Sequence, residues 1–334
     1  MKKLIAYARL FRVPGIGGLA IPPVIGAISV GVLDFYKLVI LFIIGALAAL
    51  YGFILNDYAD VEVDKLSKDL QGKPLVSKII SKKTALFICV FFILLTFLLI
   101  GVLWYKESID FFKLAALFSI IVAGILGSIY DFYGKKFVGS DILVALSMAF
   151  VFLFGALSFG EPTVITWIIF ILTFNNLLHM NAIEGGIKDS DHDYLLGVKN
   201  IALSSGVKVI DDKIIIPNKF KALSLSIRSF TAILLFIPFV FYGYQYNYWQ
   251  IILLVIAIFG VFFLNIRLLS IKKFERNKIR KYIAGQSFLR YSLVPIMLIS
   301  IIGFYISIIL IIFPIVWYIL FAPLLGEKLF RPRM

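Results

Sequence analysis

The chain has 334 residues, of which 61% are hydrophobic and only 16% charged, and it carries a formal net charge of +14. Soluble domains hold about 25% charged residues, so this composition excludes an ordinary water-soluble fold and makes lipid the solvent. The cationic excess does not indicate a nucleic-acid partner, because the lysines and arginines sit mostly between apolar runs, where membrane topology accounts for them.

At the N-terminus, MKKLIAYARLFR starts like a signal peptide. However, Arg9 and Arg12 interrupt its apolar stretch and no small-residue cleavage site follows. It reads instead as a short amphipathic interfacial helix leading into the first span. Apolar runs then predict spans at 14–33, 37–56, 84–104, 112–131, 141–159, 163–184, 226–243, 248–270, 287–303 and 306–325. Open sheet edges cannot face lipid, so the fold class is all-α: a polytopic transmembrane helical bundle of nine or ten spans. The last two spans form one apolar run too long for a single helix; Gly303 offers the turn, with Pro314 and Pro323 as kinks. Nine spans plus a re-entrant piece is the alternative count. The single cysteine, Cys89, lies inside an apolar run, which leaves no disulfide framework and no thiolate metal site.

Basic residues predict the orientation. Segments 57–83, 132–140, 184–225 and 271–287 hold six, two, six and six lysines and arginines, whereas the 105–111 turn has only Lys106. Both chain ends are basic as well, through Lys2, Lys3, Arg9 and Arg12 and through Lys328, Arg331 and Arg333. All of these belong in the cytoplasm by the positive-inside rule, as an even number of spans allows. Within the third basic segment, Val207 to Pro217 alternates apolar and polar residues around Asp211-Asp212, which predicts a small hairpin at the membrane surface, an insertion at about 205–218.

Acidic residues are concentrated at two places. Of thirteen aspartates, seven fall in Asp57–Asp69 and Asp189–Asp193. The first stretch, NDYADVEVD, closes the second span; if the helix continues, Asn56, Asp57, Asp60 and Asp64 share one stripe. The second, DSDHD, follows span six, so both lie on the cytoplasmic side, 132 residues apart and each opening a basic loop, a faint internal repeat. Hard oxygen ligands suit Mg²⁺, and two such clusters facing one pocket form a clamp for a diphosphate. Loss of diphosphate from an allylic carbon needs charge stabilisation at the mouth and a dry apolar chamber behind it. Span six adds Asn175, Asn176, His179, Asn181 and Glu184; Asn175 and His179 are candidate acceptor-binding residues, His179 as a base on a phenolic acceptor, with interhelical hydrogen bonding as the structural alternative. A cation-coupled secondary transporter is a competing reading, but its acids belong near the bilayer midplane rather than at span ends. A CDP-alcohol-type lipid headgroup transferase also uses membrane aspartates and Mg²⁺, but its DG and AR elements are missing from the first cluster.

NDYADVEVDK resembles the NDxxDxxxD signature of the UbiA superfamily of intramembrane prenyltransferases, and DSDHDYLLGVKNIA (Asp189 to Ala202) resembles its second motif, DxxxD followed by glycine (Gly197) and a basic residue (Lys199). KPLVSKIIS, YDFYGKKF (Tyr130 to Phe137) and YARLFRVP are similar to its flanking segments, in the same order. The resemblance implies one membrane-embedded prenyltransferase domain over 1–334, moving a polyprenyl group from its diphosphate to a small acceptor. That acceptor is either an aromatic quinone precursor or a glycerol-phosphate ether lipid precursor. It implies Mg²⁺ held by Asp57, Asp60, Asp64, Asp189 and Asp193, with Asn56 beside them. It further implies phosphate contacts from Arg12, Lys73, Lys135 and Lys188, and Tyr130 along the reacting end of the prenyl chain. Asp191 falls between the matching positions and reads as a solvated residue or one behind the site. Where the family often has an acidic residue and then glycine before the final aspartate, this chain has Asp191-His192, which leaves the acceptor open.

Overall fold

A computed structural model describes residues 2–65 and 70–325. Asp69 of the first acidic stretch and the C-terminal Lys328, Arg331 and Arg333 lie outside the described residues. Helices α1 (Lys2–Leu10), α2 (Val13–Leu19) and α3 (Pro22–Ser29) lead into α4 (Phe35–Asp64), α5 (Lys82–Leu103), α6 (Phe111–Tyr133), α7 (Asp141–Leu157) and α8 (Val164–Leu178). The last of these continues through a π-helical stretch, His179–Gly185, into α9 (Gly186–Lys188). The short α10 (Ser190–Leu195) and α11 (Ile201–Ser204) precede strands β1 (Lys208–Ile210) and β2 (Lys213–Ile215), then α12 (Asn218–Phe241), α13 (Tyr248–Leu269), α14 (Arg276–Ile302) and α15 (Phe304–Phe321). Among the described residues, nine helical stretches are long and apolar enough to cross a membrane, and α7 is a shorter apolar helix. The protein is a multi-pass membrane protein.

The first span departs from the single helix predicted over 14–33. Over that range it is two pieces, α2 and α3, broken at Ala20–Ile21, while Arg12, whose backbone is left-handed (φ 45°), separates them from the predicted N-terminal helix, α1. Pro14, Pro22 and Pro23 explain the breaks: each lacks an N–H and is tolerated in a helix's first turn but not deeper. The pieces pack unusually close to their neighbours. A Cβ on Gly26 would collide with the Phe152 carbonyl and one on Gly155 with the Pro23 carbonyl, so α3 and α7 touch backbone to backbone.

Helix α4 positions the first motif. It starts at Asp34, whose carboxylate accepts the Lys37 N–H at 2.9 Å, and runs for 30 residues. At about 1.5 Å per residue this is roughly 45 Å, well beyond a hydrocarbon core of about 30 Å, so its last turns emerge into the interfacial region. The motif aspartates stand on those turns. Gly303 (φ 83°) makes the turn between α14 and α15. Helix α15 then packs on α2, where the Trp317 indole donates to the Val13 carbonyl at 2.8 Å, bringing the last described helix onto the first span. The largest apolar cluster links α3, α4, α7, α8 and α14.

A second apolar cluster lies under the loops after span six. Ile183, Ile187, Ala202, Val207, Ile214, Ile216 and Ile279 are buried together there. Strands β1 and β2 pair antiparallel as a two-stranded hairpin.

Candidate active site

The continuation of α4 places Asp57, Asp60 and Asp64 on one face, all buried at 4 to 8% exposure. Buried carboxylates need partners, and here these come from three other segments. Arg12, at the kink between α1 and α2, donates to Asp57 Oδ1 at 2.9 Å. Lys73, from the loop after α4, reaches the same Asp57 oxygen at 3.0 Å and Asp64 Oδ2 at 2.6 Å, bridging two turns of the helix. Lys135, just past α6, pairs with Asp60 Oδ2 at 2.8 Å. Burial works against the Lys73 ammonium, but Asp57 and then Asp64 outweigh it and hold its pKa above the ordinary lysine value.

The second motif joins the first through Lys135. Its backbone carbonyl accepts the Lys199 N–H at 3.0 Å, and its ammonium acts on Asp193 as well as on Asp60. Asp193 accepts the Asn200 side-chain amide at 2.8 Å, and its pKa is pushed up to about 7, by burial first and then by Asp189, with Asp60 adding to the effect. Lys188 lies 3.4 Å from Asp189. The Tyr130 ring packs against Gly134, the residue before Lys135. Asp57, Asp60, Asp64, Asp189, Asp193, Arg12, Lys73, Lys135, Lys188 and Tyr130 are thus gathered at one end of the bundle.

Two residues identified from sequence are engaged differently. Asn56 donates to Asp131 at 3.2 Å, a carboxylate that sequence reasoning passed over although it follows Tyr130 directly. His179 is fully buried in another network: its Nε2 shares a hydrogen with Ser224 at 2.9 Å, and its Nδ1 lies 3.3 Å from Glu184. Glu184 Oε1 also accepts from Arg228 and from Arg290, each at 2.9 Å, and Arg228 reaches Gln286 at 3.1 Å. This network ties α8 to α12 and α14, which is the interhelical role. The signal for it was present in the sequence, since Arg228 and Arg290 lie inside predicted apolar spans, where charge persists only if paired. Asn175 is buried nearby on α8, and among the described residues its amide nitrogen has no hydrogen-bond partner.

The donor set tests the fit to a divalent cation. Among the described residues no three carboxylate, thiol or imidazole groups converge as a ready-made metal cage, because Arg12, Lys73 and Lys135 pair with the carboxylate oxygens. The oxygens themselves are of the hard, anionic type that Mg²⁺ prefers, and their present partners are flexible or half-exposed cations. The set fits Mg²⁺ if those cations swing from carboxylate to phosphate.

The fold is that of a predominantly helical membrane bundle, with two aspartate motifs and a basic rim gathered at one end. The chain belongs to the UbiA prenyltransferase family, whose model matches residues 19–293. It is 26% identical over 209 residues to digeranylgeranylglyceryl phosphate synthase of Saccharolobus solfataricus, covering 60% of this chain and 69% of that protein. It is 28% identical over 182 residues to 4-hydroxybenzoate octaprenyltransferase of Francisella tularensis, covering 54% of this chain and 61% of that one. The chain therefore aligns with about three fifths to two thirds of these relatives' length. Among solved structures, a UbiA homolog from Archaeoglobus fulgidus bound to GPP and Mg²⁺ superposes with TM-score 0.62 at 20% identity, covering 94% of this chain and 99% of that one. An apo UbiA homolog from Aeropyrum pernix K1 gives 0.63 at 14% identity, covering 86% and 96%. At these identities the likeness is one of fold.

Proposed function

We propose that this family member transfers a polyprenyl group from its diphosphate to a small acceptor, an aromatic quinone precursor or a glycerol-phosphate ether lipid precursor, at the cytoplasmic membrane face. The observation that carries this reading is the meeting of the two aspartate motifs around Lys135, with their carboxylates paired to cations that a diphosphate can recruit. The names of the relatives and the Mg²⁺ and GPP bound to the archaeal homolog support it.

Asp57, Asp60, Asp64, Asp189 and Asp193 would hold Mg²⁺, which when bound neutralises the diphosphate and its departing oxygen. Arg12, Lys73, Lys135 and Lys188 bind the phosphate oxygens, exchanging one anionic partner for another without leaving a buried charge bare. The allylic C–O bond breaks, diphosphate departs toward this basic rim, and the cationic carbon is left in the apolar bundle. There the electron-rich face of Tyr130 stabilises it until the acceptor attacks and its proton passes to the released diphosphate. The basic loops support placing the site on the cytoplasmic side.

The test is Mg²⁺-dependent diphosphate release by purified protein in detergent. Asp60→Ala and Asp193→Ala abolish release while the helical signal persists; full activity in both overturns the reading. Radiolabelled geranylgeranyl diphosphate offered with each acceptor class identifies the acceptor.

A further inference from the structure

The second aspartate motif contains a third acid, Asp191, and the chain carries a hairpin beside it; neither has a part in the diphosphate clamp described above. Asp189 stands at the N-cap position of α10 and Asp193 follows four residues later, so both lie on the same side of that short helix. Asp191, two residues from each, points roughly 200° away. On that far side Arg276, the first residue of α14, donates through Nη2 to both Asp191 oxygens, at 2.7 and 2.8 Å. His192 Nδ1 also lies 3.9 Å from Asp191.

Arg276 is itself held by the hairpin. The linker ahead of it runs along β2: the Ile214 N–H donates to the Lys272 carbonyl at 3.0 Å and Lys213 bridges to Lys273. The Phe274 N–H then donates to the Asp212 carbonyl at 2.7 Å. Asp211 and Asp212 both take left-handed backbone (φ 47° and 60°), as a tight hairpin turn requires and as short acidic side chains tolerate. Strand β1 lies directly against α10, and Ile214 and Ile216 anchor the hairpin in the apolar cluster shared with Ile183, Ile187 and Ile279. The Arg276 guanidinium lies 5.7 Å from the centre of the Phe274 ring. Helix α10 is therefore held by a strand and an ion pair, while Asp193 on it lies within the fields of Lys135 and Asp60.

We propose that the hairpin and Arg276 form a clasp that fixes the orientation of α10, with Arg276 acting through Asp191 as a positioning residue for Asp189 and Asp193. This rests on the prenyl-transfer reading of the site. A six-residue helix has too few internal hydrogen bonds to hold its own direction, and two carboxylates that must close on a shared cation lose affinity when their mutual orientation fluctuates.

The experiment is a double-mutant cycle on the full chain in detergent: Asp191→Asn, Arg276→Gln and the pair. Two readouts are followed, the Mg²⁺ concentration giving half-maximal diphosphate release and amide hydrogen exchange over 186–202 without metal or substrate. Each single variant is expected to raise the half-saturating Mg²⁺ by about fivefold, the scale of one partly exposed ion pair. The double variant should be no worse than either single, and exchange in 186–202 should quicken while α4 is unchanged. Additive effects, abolished activity in Asp191→Asn with native exchange, or unaltered exchange in Arg276→Gln each overturn the clasp. If the unmodified protein releases no diphosphate, the prenyl-transfer reading fails, and the exchange measurement alone decides the clasp.

Discussion

Lys135 and Asp60 meet at 2.8 Å across the ends of α6 and α4, and the same lysine's backbone carbonyl holds the loop after the second motif through Lys199. One residue thus carries a charge contact to the first motif and a main-chain contact to the second. On the proposed function, its side chain would compete with a metal for Asp60 and, once released, would bind the diphosphate.

That dual position gives the first prediction. Lys135→Met would remove the Asp60 partner and the proposed phosphate contact together, while the backbone contact to Lys199 survives. The prenyl diphosphate KM should rise by about tenfold, the loss of one charge-assisted hydrogen bond, while the half-saturating Mg²⁺ concentration falls. Steady-state kinetics with each component varied in turn checks this, and a rise in both values contradicts the exchange of partners.

Metal removal should separate activity from stability. Arg12, Lys73 and Lys135 already pair with Asp57, Asp64 and Asp60, so chelation leaves each of these three carboxylates with a cationic partner. EDTA is expected to stop diphosphate release while the thermal midpoint in detergent shifts by no more than a few degrees, about 1 kcal/mol or less. A large fall in the midpoint would mean that the cations fail to neutralise the cluster.

The network around Glu184 behaves in the opposite way. Glu184→Gln leaves the buried Arg228 and Arg290, 2% and 7% exposed, without their shared counter-charge. Breaking a buried pair in this manner costs about 3–5 kcal/mol, so this variant should melt well below the unmodified protein or fail to accumulate. Asp189→Asn, at the half-exposed end of the bundle, should melt normally and yet be inactive. Thermal unfolding followed by circular dichroism compares the two.

Backbone contact between α3 and α7 leaves no room for a side chain at Gly155, where a Cβ meets the Pro23 carbonyl. Gly155→Val is expected to destabilise the bundle by roughly 1–3 kcal/mol, the range of overpacked cores. Gly124 has open space around its Cβ position, and Gly124→Ala should be neutral or slightly stabilising by the same melt.

Much of the fold was legible because lipid imposes simple rules. The apolar runs, the basic loops and the emergence of NDYADVEVD from a long helix followed from hydropathy and helical spacing alone. The break inside the first span was less visible, since hydropathy averages over Pro22 and Pro23. At the site, Asp60 and Asp193 stood out because charge is rare in so apolar a chain. His179 was harder to assign: a histidine in a span looks the same in sequence whether it faces a cavity or, as here, Ser224 and Glu184.

By itself the sequence determined the solvent, the helical class, the two acidic motifs and the shared face of Asp57, Asp60 and Asp64, all properties of local composition and of a 3.6-residue period. Only the tertiary structure decided which cation serves which carboxylate: Arg12 and Lys73 for Asp57, Lys73 for Asp64, Lys135 for Asp60 and Arg276 for Asp191. Those partners lie from nine to 85 residues away in the chain. Ion pairing depends on distance in space, and no periodicity in the sequence encodes it.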